Sequence, residues 1–221
     1  QLRLRQLDIS LGSIEHVFIT HLLGDHIYGL PGLISSMHLL DRTAPLYLYA
    51  PKGLEKMLSF YSEFSGRQEL SFPVIYREIT GAGLIQILEG ETARVYAFPL
   101  NHSIPTSGFL FREKSVRKSK PRSVAYCTDT APSPEITEWI GGVDLLFHEA
   151  TFLEQDVRSA AQYLHSTARQ AAQIALDAGA GKLLLGHFSS RYKETSAFLA
   201  EAREIFPNTE LSTEGRTFSV P

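Results

Sequence analysis

A chain of 221 residues is long enough for a full hydrophobic core, and 43% hydrophobic with 20% charged residues is the composition of an ordinary globular protein. The formal net charge of −3 excludes an overall basic field, so any contact with nucleic acid has to come from a local patch. The single cysteine, Cys127, excludes an intrachain disulfide and predicts a reducing, cytoplasmic compartment, while no apolar run approaches the ~20 residues of a membrane span.

Apolar, β-branched and aromatic runs alternate along the chain with patterns of helical period. In chain order, the prediction is a strand at 16–20, a helix at 29–40, a strand at 45–50, a helix at 53–64, strands at 94–100, 108–112, 123–128 and 144–148, a helix at 167–178, a strand at 182–186 and a helix at 195–205. Strands that alternate with helices are typical of α/β layers. We therefore predict a single α/β domain over residues 1–221.

Two of the predicted helices carry additional local signals. The helix at 167–178 has Thr167 and Gln170 in the spacing of a capping box, and Gly179 follows as a C-terminal stop. The helix at 53–64 shows the i, i+3, i+4, i+7 spacing of one buried face. That face is predicted to consist of Leu54, Met57, Leu58 and Tyr61.

The segment after the first strand carries the densest group of metal-ligand residue types. It reads Thr20-His21-Leu22-Leu23-Gly24-Asp25-His26, which is a two-metal loop of the form His-x-His-x-Asp-His with Leu23 in place of the middle histidine. Imidazole and carboxylate ligands together suit zinc or manganese. Leucine has no lone pair to donate, so position 23 cannot bind a metal. The alternative interpretation is a loop whose histidines only form hydrogen bonds.

Four candidate ligands share a position relative to the predicted strands. His21, His102, Asp129 and His187 each come just after an apolar strand pattern. If these strands share one edge of a sheet, the four side chains converge in one crevice. A single histidine in such a position is more often a hydrogen-bonded residue, but four in the same register favour a metal site.

Motifs along nearly the whole chain resemble the metallo-β-lactamase superfamily and, within it, the transfer RNA 3′-processing endonucleases of the tRNase Z family. The loop alone indicates the superfamily, whereas Gly29-Leu30-Pro31-Gly32, His148-Glu149-Ala150-Thr151 and His165-Ser166-Thr167 indicate tRNase Z. Further similar segments are 49–53, 101–108, 126–130 and 186–192.

This resemblance implies a four-layer αββα sandwich, from which this chain is expected to lack the N-terminal strands. It also implies a metal-dependent endoribonuclease that removes the 3′ trailer from precursor transfer RNA and works as a homodimer without a membrane. Two zinc ions per subunit are expected, with manganese as the other candidate metal.

The resemblance further implies which residues hold each metal. One metal would be held by His21, His102, Asp129 and the residue at position 23. The other would be held by Asp25, His26, His187 and a bridging Asp129. Because Leu23 removes one ligand, we expect the first site to bind metal weakly and activity to be impaired.

Catalytic and substrate-binding roles also follow from the resemblance. Asp25 would orient the attacking water or take its proton, and His165, paired with Glu149, would protonate the departing oxygen. On the sequence alone, the favoured interpretation of His165 is an ordinary residue before a helix. Contacts with RNA are expected from Lys52, Ser189 and Arg191. These three could instead be a surface helix start and turn residues.

Residues 113–122 stand where many members of the family carry a protruding arm that grips transfer RNA. Their basic charges could contact phosphates as a remnant of that arm, or could form a solvated surface loop. Two other functions remain open. Leu23 favours a catalytically inactive RNA-binding or dimer-partner homologue, and the superfamily also contains hydrolases of small esters and cyclic phosphodiesters.

Overall fold

The computed structural model describes residues 1–64, 66, 69–115 and 120–221. Within it the chain forms two compact units, Gln1–Thr80 and Gly81–Pro221. The assignment of the whole chain to one domain stays a prediction. The longest described helices have 11 residues, and none in the described part of the chain has the length and apolarity needed to cross a membrane.

The first unit contains a parallel three-stranded sheet. Its strands, in spatial order, are β1 (His16–Phe18), β2 (Leu46–Ala50) and β3 (Val74–Glu78). The first two were predicted from their apolar runs. The third was not, because β3 lies at the sheet edge, is nowhere fully buried and ends in charged residues, so its sequence lacks the apolar pattern of a central strand.

Four described α-helices belong to the first unit, and two of them were predicted to within a residue. They are α1 (Leu2–Gln6), α2 (Gly24–Ile27), α3 (Gly29–Leu39) and α4 (Leu54–Phe64). Leu54 and Leu58 of α4 join the core together with Met37 and Leu48. The predicted buried face is wrong at Tyr61, which is 43% exposed. Tyr61 lines a groove of about 440 Å³ between α3, α4 and β3, so it is covered on one side only.

The second unit contains a mixed seven-stranded sheet. Its strands are β4 (Ile85–Glu89), β5 (Ala93–Leu100), β6 (Thr106–Glu113), β7 (Ser123–Cys127), β8 (Leu145–Glu149), β9 (Lys182–Gly186) and β10 (Thr209–Leu211). The spatial order runs from β10 through β9, β8, β7, β6 and β5 to β4. Strands β7 to β10 pair in parallel and β4 to β7 pair antiparallel. The two strands that were not predicted, β4 and β10, are the edges.

Four described α-helices belong to the second unit: α5 (Glu135–Trp139), α6 (Val157–Tyr163), α7 (Ala168–Asp177) and α8 (Ser196–Arg203). The predicted capping box of α7 is confirmed. Gln170 N–H donates to Thr167 Oγ1 at 3.2 Å, and Thr167 N–H donates to Gln170 Oε1 at 2.9 Å. Gly179 has φ +62°, which confirms the predicted stop. The core of this unit includes Cys127, and Trp139 packs against it while partly buried.

The direction of the strands decides where the candidate ligands lie. Because β5 and β7 are both antiparallel to β6, they run the same way, and β8 and β9 run parallel to β7. Residues that follow β5, β7 and β9 therefore lie together at the edge of the seven-stranded sheet that the carboxyl ends of these strands form. This was predicted for His102, Asp129 and His187. The prediction of one shared edge is wrong for His21, because β1 pairs with β2 in the other sheet.

Candidate metal and catalytic site

The loop of the first unit extends directly from the three-stranded sheet. Ile19 N–H donates to Tyr49 O at 2.8 Å, which continues the parallel pairing one residue past β1 and places Thr20 and His21 at its end. His21 is completely buried. Leu23, the residue before α2, is 40% exposed and offers no donor atom.

Three ligand-type side chains of this loop lie together. One donor atom each of His21, Asp25 and His26 lies within 4.8 Å of the others. The rings of His21 and His26 have centroids 3.9 Å apart, and Asp25 Oδ2 lies 3.7 Å from His26 Nε2. The Asp25 side chain is 71% exposed, so water reaches its carboxylate. Imidazole nitrogens with an accessible carboxylate form a donor set that fits zinc or manganese.

Thr20 contacts both histidines of this loop at the same ring atom. Its Oγ1 lies 3.1 Å from Nδ1 of His21 and 3.2 Å from Nδ1 of His26. When both Nδ1–H groups donate to this oxygen, both Nε2 atoms carry the lone pair that a metal requires. Thr20 was not singled out from the sequence, although its place directly before the first ligand was a usable signal.

In the second unit, Asp129 and His187 meet at the sheet edge. His187 Nε2 lies 3.3 Å from Asp129 Oδ1, and Thr128 Oγ1 donates to that same oxygen at 2.7 Å. Asp129 is 4% exposed. His187 has φ +60°, a left-handed conformation that is uncommon for residues with a Cβ and that concentrates at functional sites. The fold holds this side chain in place against a local conformational preference.

His102 is oriented by a backbone carbonyl. Its Nδ1 lies 3.2 Å from Leu164 O, and a carbonyl can only accept, so Nδ1 carries the hydrogen and Nε2 the lone pair. Leu164 itself has φ +58° at the end of α6. The next residue is His165, whose ring centroid lies 5.2 Å from that of His102 and 5.4 Å from that of His187.

Glu149 is the buried carboxylate of this edge and is fully hydrogen-bonded. It accepts from the backbone N–H groups of Thr130 at 2.8 Å, Thr151 at 3.0 Å and Ser166 at 3.2 Å. The Thr151 hydroxyl donates to Oε2 at 2.6 Å, and His165 Nδ1 donates to Oε1 at 2.7 Å. Burial alone would raise the pKa of Glu149, but the hydrogen bond and charge of His165, with the other donors, hold that pKa below its ordinary value.

Glu149, His165 and His187 also place donor atoms within 4.8 Å of one another, the spacing of a metal group. Because the carboxylate of Glu149 is already occupied by protein donors, this group is better suited to holding protons than to binding a metal. His165 presents Nδ1 to Glu149 and keeps 15% of its side chain exposed. A histidine held this way can deliver a proton from Nε2.

The three residues expected to contact RNA lie in different surroundings. Lys52 is exposed in the turn before α4. The Ser189 backbone N–H donates to Thr151 O at 3.1 Å. The Arg191 guanidinium lies 4.7 Å from the centre of the Phe152 ring, and its Nη1 is 3.7 Å from Asp156 Oδ1. Their roles in substrate binding stay predictions.

The segment 113–122 is described only at its ends, and 116–119 lie outside the described residues. Three of its basic side chains contact acids: Arg122 with Glu113, Lys120 with Asp144 and Lys114 with Glu89. These ion pairs compete with phosphates for the same charges. A role of this segment as a remnant of an RNA-binding arm stays a prediction.

Comparison with known proteins places the chain among similar sequences. The family model described as Beta-lactamase superfamily domain matches residues 1–188. Ribonuclease Z of Bacteroides fragilis (strain YCH46) is 39% identical in an alignment of 263 positions, which covers 100% of this chain and 86% of that protein. Ribonuclease Z of Porphyromonas gingivalis (strain ATCC 33277) is 36% identical in an alignment that covers 97% of this chain and 84% of that protein.

A solved structure extends this similarity to the fold. Human tRNase Z, short form, matches with a TM-score of 0.80 and 29% identity, over 99% of this chain and 83% of the human chain. The similarity therefore covers the loop of the first unit and every strand end that carries a candidate ligand.

Proposed function

Since this chain belongs to the ribonuclease Z family within the β-lactamase superfamily, we propose that it is a metal-dependent endoribonuclease that removes the 3′ trailer from precursor transfer RNA. The family membership confirms the metallo-β-lactamase fold class predicted from the sequence. The observation that carries the proposed reaction is the pair of the buried Glu149 and the partly exposed His165, beside His187 and Asp129. This edge offers metal ligands and a proton donor in one place.

The proposed metal is zinc, two ions per subunit, with manganese as the other candidate. The proposed ligands are His21, Asp25 and His26 of the first unit and His102, Asp129 and His187 of the second. The donor set supports this proposal, because it combines imidazole nitrogens with carboxylate oxygens. When bound, the ions supply Lewis-acid stabilisation of charge on the phosphodiester oxygens. Leu23 leaves one family ligand position without a donor, which is expected to weaken one site.

The protein's own side chains divide the proton transfers between them. Asp25 is the proposed group that orients the attacking water and accepts its proton, and the exposure of its carboxylate supports this role. His165 donates a proton to the departing 3′ oxygen, so the transfer RNA leaves with a 3′-hydroxyl. Glu149 keeps Nδ1 of His165 in its hydrogen bond and favours the charged imidazole that such a donor requires.

Lys52, Ser189 and Arg191 are the proposed contacts with the RNA backbone. For Arg191, a phosphate has to compete with Asp156 for the guanidinium. The Arg191 side chain is 43% exposed, and exposed ion pairs of this kind contribute only about 0–1 kcal/mol, so exchange for a phosphate costs little. Stacking on Phe152 keeps the guanidinium plane in a fixed orientation for a forked contact.

We propose a homodimer as the working form, in the cytoplasm. The support is an exposed aromatic face on α4, formed by Phe60, which is 71% exposed, and Phe64, which is 85% exposed. Large apolar side chains clustered on a surface mark interaction sites in soluble proteins. A second copy of this chain would cover them.

One alternative keeps specific support. Leu23 favours a catalytically inactive homologue that still binds RNA or a partner subunit. A hydrolase of small esters is disfavoured, because both curated relatives named above are ribonucleases Z and the similarity covers 86% and 84% of their length.

The test is cleavage of a precursor transfer RNA with a 3′ trailer, compared with a small phosphodiester and a small thioester. We expect cleaved RNA with a 3′-hydroxyl end. We also expect the logarithm of the RNA binding constant to fall linearly with the logarithm of the salt concentration, with a slope of about −0.7 for each phosphate contact. The original chain and its Leu23→His variant are assayed together, with zinc supplied. Salt-insensitive activity that prefers the small thioester would overturn the proposal. RNA binding without cleavage by either form would establish the inactive homologue.

A further inference from the structure

Thr151 lies two residues past Glu149, where the chain leaves β8, and it connects three functional groups. Its hydroxyl donates to Glu149 Oε2 at 2.6 Å and lies 2.8 Å from His187 Nδ1. The same oxygen is 3.3 Å from His165 Nδ1. Thr151 is 7% exposed, so bulk water does not replace these contacts.

Counting hydrogens fixes the direction of each bond. A hydroxyl has one hydrogen to donate and two lone pairs. Glu149 is an ionised carboxylate that can only accept, so the hydrogen of Thr151 points to it. Toward His187 the hydroxyl oxygen can then only accept, which requires the hydrogen of His187 to be on Nδ1. The lone pair of that ring is consequently on Nε2, the atom that lies 3.3 Å from Asp129 Oδ1.

We propose that Thr151 is a positioning residue that fixes the Nδ1–H tautomer of His187 and links this histidine to Glu149. One carboxylate then orients two histidines: His165 directly through Oε1, and His187 through the Thr151 hydroxyl on Oε2. The proposal deepens the proposed function, since it rests on His187 as a metal ligand. Partners of this kind typically raise metal affinity 10- to 100-fold.

A purely structural role of Thr151 would depend on its backbone contacts and not on its hydroxyl. Its backbone N–H donates to Glu149 and its carbonyl accepts from Ser189 N–H, and both contacts persist when the side chain changes. His165 lies closer to Glu149, at 2.7 Å, than to the hydroxyl, at 3.3 Å. Loss of the hydroxyl is therefore expected to disturb His187 and to leave His165 in place.

The test compares Thr151→Val, which keeps the shape and loses the hydroxyl, with Thr151→Ser, which keeps the hydroxyl. The first measurement is the imidazole ¹⁵N spectrum of the metal-free full chain, with the His187 signals assigned from His187→Gln. We expect the Nδ1–H tautomer of His187 in the original chain and in Thr151→Ser, and a shift toward the other tautomer in Thr151→Val. His102 serves as internal control, because Leu164 O holds its tautomer in every variant.

The second measurement is zinc affinity against a competing chelator. We expect a loss of 10- to 100-fold for Thr151→Val and less than about threefold for Thr151→Ser. An unchanged His187 tautomer in Thr151→Val, or equal losses in both variants, would overturn the proposal. If Thr151→Val does not fold, Thr151→Ala takes its place in both measurements. If no form binds zinc, the metal part of the proposed function fails, while the spectrum still decides the link through Thr151.

Discussion

Replacing Leu23 with histidine tests the metal assignment most directly, because it supplies the middle histidine of the His-x-His-x-Asp-His loop. Leu23 is 40% exposed, and its φ −69° and ψ 150° are extended values that any residue adopts, so Leu23→His brings no backbone strain. Complete burial of a leucine contributes about 1.5–3 kcal/mol. A side chain that buries six tenths of its surface therefore loses at most about 1–2 kcal/mol on this change.

Zinc is expected to reverse the sign of that difference. A site that binds only the folded state raises the free energy of unfolding by about 2.7 kcal/mol when free metal is 100 times its dissociation constant. Leu23→His should thus be less stable than the original chain in chelator and more stable in zinc. The gain should accompany about one additional zinc equivalent per chain in metal analysis and a rise in RNA cleavage.

The assay is urea unfolding in chelator and in buffered zinc, with Leu23→Gln as the matched control. The glutamine loses the same apolar contacts but supplies no imidazole, so it should show the loss in chelator without the gain in zinc. Equal zinc responses of the two variants would refute the assignment of position 23 as a ligand position. Two tightly bound zinc ions in the original chain would refute it as well.

The remaining predictions concern other parts of the molecule. His165→Ala, made in an active background, should slow RNA cleavage by about 10²–10⁴ with zinc content unchanged, and lost zinc would make His165 a ligand instead. Phe60→Glu with Phe64→Glu should convert a dimer to monomers in sedimentation velocity, and an unaltered dimer would exclude that face. Burial lowers the pKa of His148 below its ordinary 6.5. As pH falls below 6.5, the unfolded chain therefore takes up a proton on this histidine before the folded chain does. The free energy of unfolding should then decline by up to about 1.4 kcal/mol per pH unit. Urea unfolding of chelated protein should show this slope, and His148→Gln should remove that contribution; an equal slope in the variant would contradict it.

Elements with local signals were the ones that the sequence predicted best. The strand β9 has the predicted bounds because its apolar residues are buried along most of its length. The helix α7 begins where its capping box places it and ends before Gly179. The edge strands β3 and β10 were missed, since partial burial leaves them without a continuous apolar run. Short helices such as α2, which has four residues, depend on tertiary contacts that propensity does not encode.

The candidate site was predictable in its residue types but not in its supporting contacts. Histidine and aspartate directly after strands are visible in one dimension, and the strand directions then bring three of them to one edge. The hydrogen bond between Thr151 and His187 joins residues 36 positions apart, so their spacing in the sequence does not predict it. The same holds for Leu164, whose carbonyl orients His102 from 62 positions away.

Leu164 also has a consequence for attempts to engineer this enzyme. A leucine at φ +58° is a conformational cost of roughly 1–2 kcal/mol that glycine would not incur. Glycine would recover this cost but would also lose the contacts of the partly buried leucine side chain, which contribute a similar amount, so stability alone should not select glycine here. That peptide also supports His102 through its carbonyl and leads directly into His165, so the extra chain freedom of glycine would reach both rings. Under the roles proposed for these two histidines, glycine at position 164 should lower turnover with little change in stability, and a screen has to score turnover to keep the leucine.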